Sequence, residues 1–385
     1  MNASYLPKVG DAVASIDTPA LVIDLDAMER NLAAMAAFAK AHGLRLRPHA
    51  KMHKSAAIAR LQMAAGAVGI CVQKTSEAEA LAAAGISDIF ISNEVFDAAK
   101  LARVAVLAGR VRLAIAVDSV EGVDRLAEAM APAGERVGDA VIDVFVEVDV
   151  GQGRCGVSPA AAGALAHRVV SHSPPEGGLR FAGLQAYHGG AQHLRGAAER
   201  AAASHHAAAM ARAAQAAVGA AGIACPLVTG AGTGTFAVDA GADVWGELQV
   251  GSYLFMDRDY ADNSVDAAAP AFEHALFVKS QVMSRGAAHA VIDAGLKAHS
   301  VDSGPPRVWQ RELDFSHASD EHGVLRLRSG ATAAELPMLG EIVWLVPGHC
   351  DPTVNLHDRY VAVRGGLIAG HVEAVWPIEA RGCTS

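Results

Sequence analysis

The chain has 385 residues, 52% of them hydrophobic and 19% charged, enough to bury a large core and to divide into two domains. Its net charge of −9, with no basic cluster, excludes a nucleic-acid footprint. No apolar run reaches the roughly 18–20 residues that span a bilayer, and residues 1–13 lack a basic segment leading into an apolar one, so neither membrane nor secretion signal is expected. Five scattered cysteines (Cys71, Cys155, Cys225, Cys350 and Cys383) have no metal-finger spacing and fit free thiols in a reducing cytoplasm. Cys71, Cys155 and Cys225 are expected as small buried hydrophobes.

In chain order, residues 19–24 read as a strand. A helix follows, opening near Asp26 and closing at Gly43, a good C′ residue. Short apolar strands then alternate with alanine-rich helices. The strands are expected at 44–49, 68–73, 88–93, 112–118, 142–149, 181–188, 227–230 and 247–254. Helical patterns at 76–84 and 159–170 are two of the separators. Repeated strand–helix units predict an α/β fold, a (β/α)₈ barrel of TIM type rather than an open doubly wound sheet. After Asp257 the helical period fades. Alternating, β-branched runs at 275–282, 290–292, 324–327, 342–346, 360–363 and 372–376 predict a C-terminal, mainly β domain. The barrel is placed at 20–258 and the β domain at 259–385.

In such a barrel the active site lies at the C-terminal ends of the strands. Those ends are polar almost throughout. They supply Lys51 and His53, Gln73, Asn93 and Glu94, Asp118, Arg154, Gln185, Tyr187 and His188, then Gln192 and His193, Thr229 to Thr235, and finally Gln249, Gly251 and Tyr253. The 229–235 loop, Thr-Gly-Ala-Gly-Thr-Gly-Thr, can present backbone N–H groups and hydroxyls to a phosphate, although a flexible turn would carry the same glycines. It lacks a GK[ST] ending, which disfavours a nucleotide loop. Lys51 follows the strand that ends at Pro48. A lysine across a barrel mouth from a phosphate loop implies pyridoxal 5′-phosphate (PLP), with Lys51 as candidate Schiff-base lysine. Taken alone Lys51 would be a solvated lysine, and Lys54 is expected to be one. His349 and Asp351 stand two apart. In an extended segment both would leave one face, with Cys350 turned away, and would suit a divalent metal ion or form a simple His–Asp pair at a turn.

The run Arg47-Pro48-His49-Ala50-Lys51, the 149–156 loop with Arg154, and the 229–235 loop together resemble the fold-type III PLP enzymes, which include alanine racemase. Segments 184–189, 247–257 and 348–353 resemble the D-threonine aldolase branch in particular, and 297–304 also resembles the D-3-hydroxyaspartate aldolases. The resemblance covers nearly the whole chain. It implies an alanine racemase-like barrel, a β domain that residues 1–19 join, and a homodimer. It further implies that Arg154 meets the phenolic oxygen of the cofactor, that Tyr187 lies near its pyridine nitrogen, and that Gly232, Thr233, Gly234 and Tyr253 hold its phosphate. Gln73, at the end of the second barrel strand, is expected as a further cofactor-site residue. His349 and Asp351 would bind a divalent ion (manganese, magnesium, cobalt or zinc), which assists an electron sink weakened by a tyrosine partner. The related zinc-dependent dehydratases carry His-x-Cys where this chain has His-x-Asp. The expected reaction is retro-aldol cleavage of a D-β-hydroxy-α-amino acid to glycine and an aldehyde. D-Threonine and D-3-hydroxyaspartate are both open as substrates, and D-serine dehydration is the rival chemistry. His193 is the first candidate for the base that takes the hydroxyl proton, with His53 and His188 as alternatives.

Overall fold

The computed structural model describes residues 6–131, 140–174, 178–264 and 269–385. Strand β1 (Ala20–Asp24) precedes a parallel eight-stranded sheet. That sheet is made of β2 (Arg45–Leu46), β3 (Ile70–Val72), β4 (Asp88–Ile91), β5 (Arg112–Val117), β6 (Ile142–Glu147), β7 (Leu179–Ala186), β8 (Val228–Gly230) and β9 (Glu247–Leu248). Hydrogen bonding runs in the order β2-β9-β8-β7-β6-β5-β4-β3. The ring closes where His49 bridges Cys71 and the Val68 N–H donates to Leu46 O at 2.8 Å. The expected (β/α)₈ barrel is the observed fold.

Strand periodicity explains the closure. Phe90, Ala114, Ala116, Phe145 and Cys71 pack together as one cluster. Their sequence neighbours Ile89, Ile91, Leu113, Ile115 and Val144 pack in another, with the helices. Alternate side chains thus fill the barrel and cement its outer layer. Cys71 is the buried hydrophobe expected, while Cys155 and Cys225 are only half-buried.

The other sheet has nine strands. To β1 it adds β10 (Leu276–Arg285), β11 (His289–Ile292), β12 (Arg307–Val308), β13 (Leu313–Ala318), β14 (Gly323–Leu327), β15 (Ile342–Val346), β16 (Arg359–Arg364) and β17 (His371–Pro377). β1 pairs antiparallel with β10 and parallel with β16, so this strand belongs to the β-domain sheet although it precedes the barrel. The boundary expected at residue 20 therefore falls after β1, and we place it at Asp24, which caps the helix Leu25–Ala41 by accepting from the Asp26 and Ala27 N–H groups. That helix ends as expected: Gly43 has φ +67°, its N–H meets Lys40 O, and the Leu44 N–H meets Ala39 O. Residues 1–5, expected to join the β domain, lie outside the described residues.

Two expectations change. The run 247–254 pairs only at Glu247–Leu248. At Gly251 the backbone comes so near His49 O that a Cβ would lie 3.2 Å from it, and Ser252–Leu254 coils into a 3₁₀ turn. β13 and the short β12 were not expected. In β13 Leu313 and Phe315 face the core between Asp314 and Ser316, a pattern diluted by its polar half. No described helix is long and apolar enough to cross a membrane.

Gly183 in β7 has φ +141°, and a Cβ there would lie 1.9 Å from Leu227 O, next to the rung from Leu184 N–H to that carbonyl. Gly183→Ala should lower stability by about 3 kcal/mol, the upper end for single substitutions, measured by urea unfolding.

Candidate active site

The Lys51 turn is built by its neighbours. Past Pro48 the chain coils into a 3₁₀ turn, Ala50–Met52, and His49 Nδ1 accepts the Lys51 N–H at 3.2 Å. Burial holds His49 well below the usual imidazole range, which keeps Nδ1 an acceptor. Its Nε2 meets Gln73 Nε2 at 2.9 Å. Lys51 Nζ forms an ion pair with Asp351 Oδ2, from the β domain. Burial works against the ammonium, but the Asp351 charge outweighs it and the Lys51 pKa is raised. Lys54 corrects the expectation of a solvated lysine. It has φ +51°, is 8% exposed, and its Nζ donates to Glu77 Oε1 at 2.7 Å and to Ala380 O at 3.3 Å. Ser55 Oγ donates to Pro377 O and Tyr360 Oη to His53 O, so the C-terminal segment and β16 brace the turn from behind.

A cavity of about 480 Å³ opens at the strand ends. Lys51, Gln73, Arg154 and Tyr187 line it, as do His193, Gly232, Thr233 and His349. Arg154 stacks over the Tyr187 ring at 5.9 Å. A Cβ at Gly232 would lie 2.4 Å from Gln192 Oε1 and displace that side chain, whose oxygen accepts the Gly234 N–H at 2.8 Å. Gly234 therefore shapes the loop but is not part of the cavity wall. Tyr253 departs from expectation. Its ring packs on Phe272 in the core and only its N–H turns back, donating to Thr233 Oγ1 at 3.1 Å. The 3₁₀ turn after Gly251 carries the phenol away. A larger cavity, about 960 Å³, lies against the β-domain sheet around Phe277, Trp309 and Trp344, and holds none of the residues singled out.

His349 and Asp351 meet at this cavity, though not on an extended segment. His349 is extended, and Asp351 lies in the first turn of a short helix, Cys350–Val354. His349 Nε2 stands 3.7 Å from Asp351 Oδ1, a buried oxygen that has no hydrogen-bond partner among the described residues. Cys350 is turned away and fully buried. Asp302 contacts His349 Nδ1 at 2.7 Å, and Asp257 accepts the Cys350 N–H at 2.9 Å. Carboxylates thus surround one imidazole, and the unpartnered Asp351 oxygen fits a cation. A second grouping, Glu94, Asp118 and Cys155, also brings three possible ligand atoms within 4.8 Å. Burial, with Glu94, pushes the Cys155 thiol up to about 11, and Asp118 accepts the Gly156 N–H at 3.2 Å.

The three histidines separate clearly. His53 is fully buried, is held down to about 4 by that burial, contacts Gln62 Oε1 and does not line the cavity. His188 is held by the Ala191 N–H and stands outside the cavity wall. His193 lines the wall, its Nδ1 2.6 Å from Asp259 Oδ2, which leaves Nε2 as the open nitrogen. Burial raises the Asp259 carboxyl, yet His193 and Arg195 bring it down to about 2, so it stays charged beside the ring. Asp259 and Tyr260, whose ring lies tilted 5.4 Å from His193, carried no sequence signal, and Asp302 entered only as part of the 297–304 segment, with no role attached.

Behind Arg154, Glu147 is buried and its carboxyl is held well above the usual range, by burial first and then by Glu94. A raised folded pKa stabilises fully below the unfolded value and is lost as pH rises through the folded one. Glu147→Gln removes that loss. Between about pH 5 and pH 9 its urea midpoint should fall less than that of the wild type.

Comparison with known proteins follows the same lines. Residues 23–259 match the family model of the alanine racemase N-terminal domain, and residues 275–363 match that of a serine dehydratase domain. A D-threonine aldolase of Arthrobacter sp. is 48% identical, covering 97% of this chain and 95% of the relative. A 3-hydroxy-D-aspartate aldolase of Paracoccus denitrificans is 42% identical, covering 96% and 93%. The crystal structure of D-threonine aldolase from Filomicrobium marinum superposes with a TM-score of 0.92 at 47% identity, covering 98% and 99%.

Proposed function

Because this chain belongs to the alanine racemase N-terminal domain family, in the branch of the D-threonine and 3-hydroxy-D-aspartate aldolases, we propose that it cleaves D-β-hydroxy-α-amino acids of the D-threonine type. The products are glycine and an aldehyde. One observation carries the reading: Lys51 and Asp351, 300 residues apart, meet at one cavity mouth.

The site residues fit PLP and a divalent ion. Lys51 would hold PLP, which when bound supplies an electron sink at Cα. His349 and Asp351 would hold the ion, whose chemistry is Lewis acidity toward a hydroxyl. The chain's own groups supply the rest. Thr233 and the glycine loop receive an anionic phosphate. Arg154, 5.9 Å above the Tyr187 ring, offers N–H donors to an oxyanion. His193 Nε2 takes the β-hydroxyl proton, and charged Asp259 holds the ring and stabilises the imidazolium. Besides Lys51 and Arg154, no lysine or arginine lines the cavity among the described residues, which favours a short neutral side chain over a second carboxylate. The homodimer and the cytoplasmic location belong to the same reading.

Glycine release from D-threonine tests it. EDTA should abolish turnover and added Mn²⁺ restore it, and Lys51→Ala should remove both activity and cofactor absorbance. His193→Ala should lower kcat by about 10²–10⁴-fold. Full activity in EDTA, or ammonia and a keto acid as products, would contradict the proposal.

A further inference from the structure

We propose that Asp302 is a positioning residue for the metal ligand His349, setting which ring nitrogen faces the ion and in what orientation. This rests on the reading of His349 and Asp351 as metal ligands. Asp302 Oδ2 lies 2.7 Å from His349 Nδ1. A carboxylate only accepts, so Nδ1 carries a proton, and Nε2, which faces the unpartnered Asp351 Oδ1 at 3.7 Å, is the nitrogen a bound ion would take from the neutral ring.

Asp302 is itself fixed. Ser300 Oγ donates to its Oδ1 at 2.8 Å, and Ser303 Oγ to its Oδ2 at 3.3 Å. The Ser300 N–H donates to Thr353 Oγ1 at 3.1 Å, and that hydroxyl donates to the His349 carbonyl at 2.8 Å. The 300–303 segment therefore grips the 349–353 turn twice, once through the imidazole and once through the backbone. On the other side of the turn, Asp257 accepts the N–H groups of Cys350 and Tyr260, at 2.9 and 3.0 Å. Two carboxylates thus hold one turn without pointing at its open oxygen. The Asp302 side chain is 47% exposed, so its role is not to fill the core. As a mere surface ion pair it would contribute little, and its loss would leave ion affinity untouched.

The test is Mn²⁺ titration by calorimetry of the full-length, PLP-loaded protein after EDTA treatment. Asp302→Ala should weaken the Mn²⁺ Kd by about 10–100-fold, with Asp302→Asn between it and the wild type. Cofactor absorbance and the metal-free Tm should not move. If Asp302→Ala lowers the metal-free Tm, Asp302→Asn, which keeps the shape, carries the test. His349→Ala separates the two layers. If it too leaves Mn²⁺ binding unchanged, the metal reading fails and this inference with it. If it abolishes binding while both Asp302 variants stay within about twofold of the wild type, Asp302 alone is overturned.

Discussion

The contact of Lys51 with Asp351 joins the two halves of this molecule, and the site depends on it. Lys51 leaves the end of a barrel strand, and Asp351 sits in a short helix next to the β-domain sheet. Neither half makes the site alone. The seam is correspondingly reinforced around that point: Lys54 ties to Glu77 and the C-terminal segment, Tyr360 to the His53 carbonyl, and Asp257 to the Cys350 N–H. Lys54 also holds a positive φ, a backbone strain that surrounding contacts must sustain.

Charge follows the same seam. Asp257, Asp302 and Asp351 converge on a single imidazole and a single ammonium. Negative groups drawn together at a half-buried site call for positive charge, and a bound cation would meet that need at Asp351 Oδ1, which no donor reaches among the described residues. Near Arg154 the Glu147, Glu94 and Asp118 grouping relieves its repulsion differently. Burial and Glu94 keep Glu147 protonated, and Arg154 stands nearby. Similar acids thus serve different ends, according to which neighbours can neutralise them.

Much of this was legible in the sequence. Strand–helix alternation indicated the barrel, and the polar residues at successive strand ends indicated the cavity, because parallel strands gather those ends on one rim. What was not legible depends on local turns and remote partners. Tyr253 stood at an apparent strand end, but the chain coils at Gly251 and its ring enters the core. Lys54 read as solvated because polarity alone does not reveal Glu77 waiting at 2.7 Å. Asp259 and Asp302 touch histidines 66 and 47 residues away, a proximity no periodicity encodes.

Anomalous diffraction at the manganese edge, from crystals grown with PLP and Mn²⁺, tests the central claim most directly. The account predicts a peak bonded to His349 Nε2 and Asp351 Oδ1, at the mouth of the cavity that holds Lys51. A peak among Glu94, Asp118 and Cys155 instead, with none at His349, would contradict it.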